Sequence, residues 1–111
     1  MMKRDELVGT WRKVAYGTSP STGLKLMHLH PDGSALIEGE FERRRYAYEY
    51  SWEYIDETHW NLRRVIPLGE IPELDEETVE VIEYEISKGN GKRMELMQFD
   101  YEYPFVYGKI V

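Results

Sequence analysis

His28 and His30 stand two positions apart, a spacing that places two imidazoles on one face of a β-strand, and His59 offers a further nitrogen donor. That donor set would suit a small metal-dependent barrel enzyme. No acidic residue falls at a recognised spacing from them, so surface histidines are the simpler expectation and no metal ligand is assigned. Arg43-Arg44-Arg45 could hold a carboxylate or phosphate. Set among Glu38, Glu40 and Glu42, it reads as a solvated connection. Arg64 is different, because strand alternation from Trp60 and Leu62 points it inward, where it must meet an anion. A partner of the Glu49 type, a ligand carboxylate or a local bulge would resolve this. Glu70, Glu73, Asp75, Glu76, Glu77 and Glu80 supply carboxylates enough for calcium, without the spacing of a calcium loop. Solubility and edge protection account for them better. Neither a Gly-x-Ser-x-Gly elbow, a phosphate-cradling glycine loop nor a Ser/His/Asp constellation is visible. No catalytic residue and no cofactor is assigned.

The aromatic residues carry more information. Tyr46, Tyr48, Tyr50, Trp52 and Tyr54 alternate with Ala47, Glu49, Ser51 and Glu53, a period of two that predicts a strand with one aromatic face. Trp60, Leu62 and Arg64 or Ile66 continue that face on the next strand. Burying such side chains contributes about 1.5 to 3 kcal/mol each, so this face should turn inward. A structural core favours Leu, Ile, Val and Phe, whereas tyrosines on an inner wall need partners for their hydroxyls, which a ligand or water supplies. The candidate ligand-binding residues are therefore Tyr46, Tyr48, Tyr50, Trp52, Trp60, Arg64 and Tyr84.

The elements that would hold them are strands. Eight are predicted, over about 10 to 16, 24 to 30, 34 to 41, 45 to 55, 59 to 66, 78 to 86, 92 to 100 and 105 to 110, preceded by a helical turn within 2 to 7. Pro31-Asp32-Gly33 closes the clearest hairpin. Its register sets Leu29 beside Ala35 and Met27 beside Ile37 on the more apolar face, which sends His28 and His30 outward. Residues 17 to 23 read as a loop, 67 to 73 as the longest irregular stretch, and 88 to 91 as a turn. Sequential hairpins without a βαβ pattern imply an up-and-down antiparallel barrel. Gly9 permits a sharp bend at its first strand, and the indole of Trp11 can plug a narrow barrel's end.

At 111 residues the chain is expected to form one domain spanning 1 to 111. Cysteine is absent, which excludes a disulfide framework and thiolate chemistry and is compatible with a reducing cytoplasm. Asp5 and Glu6 follow Met1-Met2-Lys3-Arg4 where a secretory signal needs an apolar run, and nothing approaches the ~18 apolar residues of a membrane span. A soluble cytoplasmic protein is expected. The formal charge of −7, from 21 acidic and 14 basic side chains, argues against nucleic acid or anionic membrane as partner.

The chain resembles a small bacterial lipocalin-like domain of the calycin group. Gly9-Thr10-Trp11, the Leu29-His30-Pro31-Asp32-Gly33 hairpin and the run of eight short strands carry the likeness over nearly the whole length. Fatty-acid-binding proteins open with a similar Gly-Thr-Trp but place a helix pair after the first strand, and 17 to 23 leave no room for one. Avidin-like barrels also begin this way. The resemblance implies an all-β, eight-stranded barrel that binds a small, partly apolar molecule without covalent chemistry. It also implies an arginine near the last strand packed across the Trp11 ring; this chain departs from that pattern and offers only Lys109, a weaker and less planar substitute. An interaction module or homodimer with a filled core is the alternative.

Overall fold

The computed structural model describes residues 2–111. A one-turn helix, α1 (Arg4–Leu7), leads into β1 (Gly9–Tyr16), followed by β2 (Ser19–Pro20), β3 (Leu24–Leu29), β4 (Ser34–Phe41) and β5 (Arg44–Asp56). The chain then forms β6 (His59–Ile66), β7 (Thr78–Gly89), β8 (Arg93–Met97) and β9 (Phe105–Lys109). Antiparallel neighbours run β1-β3-β4-β5-β6-β7-β8-β9, and β9 returns to pair with β1. The wall is thus a closed eight-stranded barrel, as the hairpin succession predicts.

Alternation dictates what lies inside. Met27, Leu29, Ala35 and Ile37 are buried in the register expected from the Pro31-Asp32-Gly33 turn, with Met27 opposite Ile37 and Leu29 opposite Ala35. Gly33 takes φ 90°, and its amide donates to the His30 carbonyl at 3.1 Å. Trp52, Trp60, Leu62, Tyr84, Ile86, Met94, Leu96 and Tyr107 join Trp11 in one buried cluster. Trp60 stacks on Tyr84 at 4.6 Å and meets Trp52 edge-on at 6.5 Å.

One end is sealed by the amino-terminal segment. Met2 and Leu7 are fully buried, the Tyr54 hydroxyl donates to the Met2 carbonyl at 2.8 Å, and the Trp11 indole N–H donates to the Leu7 carbonyl at 2.8 Å. The Lys109 ammonium lies 5.4 Å from the Trp11 ring centroid and donates to the Glu6 carbonyl at 3.0 Å. Lysine therefore stands where the resemblance implies an arginine, and it ties helix, first strand and last strand together.

Four local expectations are corrected. Residues 19–20 form a short ladder with Ala15 and Tyr16 inside the expected loop. β7 continues through Gly89, because a bulge between Ile86 and Lys88 carries the ladder on to Met94, and the turn moves to Asn90–Lys92. There the Asn90 side-chain oxygen accepts from the Lys92 and Arg93 amides at 2.8 and 3.0 Å. β8 stops at Met97 rather than near 100, where Asp100 turns the chain at φ 71°.

The fourth correction is the arginine run, of which only Arg43 is loop: Glu42 and Arg43 make a two-residue connection between Phe41 and its partner Arg44. Both carry positive φ, 50° and 65°, the mirror-image turn that matches strand twist and favours Asn-Gly. Side chains with a Cβ pay about 1–2 kcal/mol for that backbone region. Glu42→Asn with Arg43→Gly is therefore expected to stabilise the protein by about 1 kcal/mol. Urea unfolding checks it; an unchanged midpoint would show that the turn is unstrained.

Candidate functional site

The barrel end opposite α1 is built differently from the packed end. At that end β1, β4, β6 and β8 finish while β3, β5, β7 and β9 begin, so inward positions there belong to one belt. Lys13 follows buried Trp11 by two residues on β1, and its cross-strand partner on β9 is Tyr107. Lys25 precedes buried Met27 by two on β3 and faces Gly39 on β4, which faces Tyr46 on β5. Lys13 and Lys25 lie one step beyond Arg12 and Leu26, the last ladder pair of β1 and β3. Tyr107, Lys13, Lys25, Gly39 and Tyr46 thus follow one another round the inner wall.

Gly39 is what makes room for this belt. A Cβ there would run into the Leu24 carbonyl and the Tyr46 phenol, so the tyrosine ring lies over the glycine. A cavity of about 220 Å³ opens beside it, lined by Lys13, Tyr16, Lys25 and Tyr46, with residues 19–24, Glu40 and Phe41 as its rim. Lys25 Nζ lies 5.9 Å from the Tyr107 ring centroid and Lys13 Nζ 5.8 Å from that of Phe105. Burial, reinforced by repulsion from Lys13, lowers Lys25 to about 8. The Tyr107 side chain is fully buried, and its hydroxyl has no hydrogen-bond partner among the described residues. Burial pushes that phenol well above its ordinary range, and the Tyr84 and Tyr46 phenols add to the effect.

The sequence-predicted residues share the inner face but divide into groups. Tyr46 borders the cavity and stacks with half-exposed Tyr48 at 6.0 Å. Arg64 does point inward, and its guanidinium lies 4.7 Å from the Tyr48 ring and 5.7 Å from the Tyr50 ring. The anion it meets is Glu70, bound through both carboxylate oxygens at 3.0 and 2.8 Å, with Glu80 at 3.8 Å. Glu49 is exposed, opposite Leu36. Tyr50 closes this group by donating to Glu80 at 3.5 Å. Trp52, Trp60 and Tyr84 lie deeper, in the packed cluster, and Trp60 and Tyr84 also border a groove of about 590 Å³ with Phe99 at its edge.

Sequence reasoning missed Lys13, Lys25 and Tyr107. The signal was available, since the same alternation that turned Arg64 inward runs from Trp11 to Lys13 and from Met27 to Lys25.

The histidines lie away from this belt. His28 faces outward, with Nδ1 2.9 Å from Thr10 Oγ1 and Nε2 2.8 Å from Glu38, and His30 is exposed. His59 is held by Asp56 at 3.0 Å and Glu85 at 3.4 Å. Among the described residues no group of three or more His, Cys, Asp or Glu could hold a metal ion. Nor is any described helix long and apolar enough to cross a membrane.

Carboxylates at the turns set the acid response. The Thr58 amide, then His59 and the Thr58 hydroxyl, hold Asp56 down to about 2; Ser34 lowers Asp32, and Arg64 lowers Glu70. Each is more acidic folded than unfolded, where carboxyls titrate near about 4, so their stabilisation is present above that range and lost as pH falls below it, for Asp56 toward about 2. The urea midpoint is expected to drop across that window, and Asp56→Asn to flatten part of the drop. A midpoint independent of pH between those limits contradicts the assignment.

No protein-family model matches the chain, and no curated protein matches it.

Proposed function

We propose that the protein is a lipocalin-like barrel of the calycin group that binds a small, partly apolar molecule without covalent chemistry, at the end opposite α1. The observation that carries this reading is the cavity of about 220 Å³ at that end, lined by Tyr16 and Tyr46 together with Lys13 and Lys25. The cavity beside Lys13, Lys25 and Tyr46 supplies space, and the aromatic face supplies apolar area. In this reading Tyr46, Tyr48 and Tyr50 form the wall, Arg64 stiffens it through Glu70 and Glu80, and Trp52, Trp60 and Tyr84 form the floor. The cysteine-free composition is compatible with the cytoplasmic location we assign to it.

Native mass spectrometry of protein purified from its own host tests the reading. A retained small molecule, released on denaturation, is the expected result. A bare chain from host material, with no added mass under gentle ionisation, overturns it.

A second reading is favoured by a different feature. From Thr78 to Tyr84, β7 pairs with β6 alone, because β8 meets β7 only from Glu85 onward. Val79 and Val81 are exposed on this stretch, as are Val65 on β6 and Phe99 beyond β8. An open strand edge beside exposed apolar side chains suits a second copy of the chain. Light scattering on wild type and Val81→Lys decides it: a dimer that the lysine breaks supports this reading, and a monomer at high concentration removes it.

A further inference from the structure

We infer that the molecule bound in this barrel carries a carboxylate, which the Lys13 and Lys25 ammoniums hold between them at the cavity wall. The inference rests on the ligand-binding reading above and specifies the chemistry of the ligand's polar end.

Charge inside this half of the barrel does not balance. Of the inward cations, Arg64 has its carboxylates in Glu70 and Glu80. Lys13 and Lys25 have no ion pair or side-chain hydrogen bond among the described residues, although the protein as a whole carries −7. Glu40 on the cavity rim lies on the outward row of β4, with its carboxylate 4.0 Å from Arg45. Two half-buried ammoniums on adjacent strands repel each other, and the attraction of one anion between them offsets that repulsion and part of their desolvation cost. The geometry is that of a clamp. The lysines come from β1 and β3 at neighbouring register positions, rooted in the same barrel wall beside buried Trp11 and Met27.

Size and surroundings select the anion. A volume of about 220 Å³ is equivalent to about seven water-sized units, too little for most drug-sized ligands and enough for a short acid. Tyr16, Tyr46 and Phe105 offer aromatic faces close to the lysines, which favours an apolar tail over a bare, strongly hydrated ion. Tyr46 adds a phenol donor on the same cavity wall, and a carboxylate accepts from ammonium and phenol together.

Hexanoate, its neutral counterpart 1-hexanol and inorganic phosphate are the probes, titrated into the full chain by amide-resolved NMR. Hexanoate is expected to shift the amides of β1, β3 and β9 and to bind at least about tenfold more tightly than hexanol. Lys25→Met and Lys13→Met should each weaken hexanoate about tenfold while leaving hexanol unchanged, hexanol binding serving as the control that each variant is folded. Hexanoate binding no tighter than hexanol, or equal in wild type and both methionine variants, overturns the carboxylate clamp while the ligand-binding reading stands. Phosphate binding as strongly as hexanoate also overturns it, showing a bare-anion site. If no probe binds, the clamp is likewise overturned, and the host-derived mass spectrum decides the broader reading independently.

Discussion

Trp11→Ala is expected to destabilise the protein by about 3–5 kcal/mol, enough to leave a domain of ordinary stability close to unfolding. Three attachments converge on this indole. It is fully buried, its N–H donates to the Leu7 carbonyl at 2.8 Å, and the Lys109 ammonium lies 5.4 Å from its ring. Truncation leaves a cavity at the sealed end, orphans the Leu7 carbonyl and detaches α1 from the barrel. Trp11→Phe keeps most of the volume and loses only the hydrogen bond and part of the cation contact, so about 1–2 kcal/mol is expected. Urea unfolding monitored by circular dichroism measures both. A loss below about 1 kcal/mol for the alanine variant would show that the end collapses around the gap and that the indole is not the closing plug.

Gly9→Ala is the second large effect, at about 3 kcal/mol. Gly9 has φ 140°, a backbone region that residues with a Cβ rarely enter. Its missing side chain also leaves space that is already taken: a Cβ would collide with the Val111 carbonyl and the Lys109 stem. The two costs separate experimentally. Lys109→Ala clears the stem but not the Val111 carbonyl or the backbone strain, so the double variant should recover only part of the Gly9→Ala loss. Full recovery would assign the whole effect to the lysine; no recovery would assign it to the backbone. The same glycine explains why β1 can start directly beside the carboxyl-terminal strand, with the Thr10 amide donating to the Val111 carbonyl at 2.9 Å.

Much of this was legible beforehand because a strand writes its two faces into the chain at a period of two. Leu29 beside Ala35 and Met27 beside Ile37 followed from a proline-aspartate-glycine turn, and the tyrosine row from 46 to 54 announced its inward face. The inward course of Arg64 followed in the same way. Its partner did not, because Glu70 belongs to an irregular stretch whose path no alternation describes. Lys13 and Lys25 obeyed the rule that placed Arg64, yet a lysine near a loop is by default a solvated residue, and only the enclosing wall makes these two exceptional.

What the amino-acid order determined alone was local: eight alternating segments, their turns, and which side chains of each strand share a face. The tertiary structure decided what meets across the barrel. β9 returns to β1 through a register that shifts between Lys13 and Ala15, and this closure sets Tyr107 opposite Lys13 and joins five strands into one belt. A period of two has no means of specifying that. Stagger and bulges fix the closure, and they arise from packing between residues nearly a hundred positions apart.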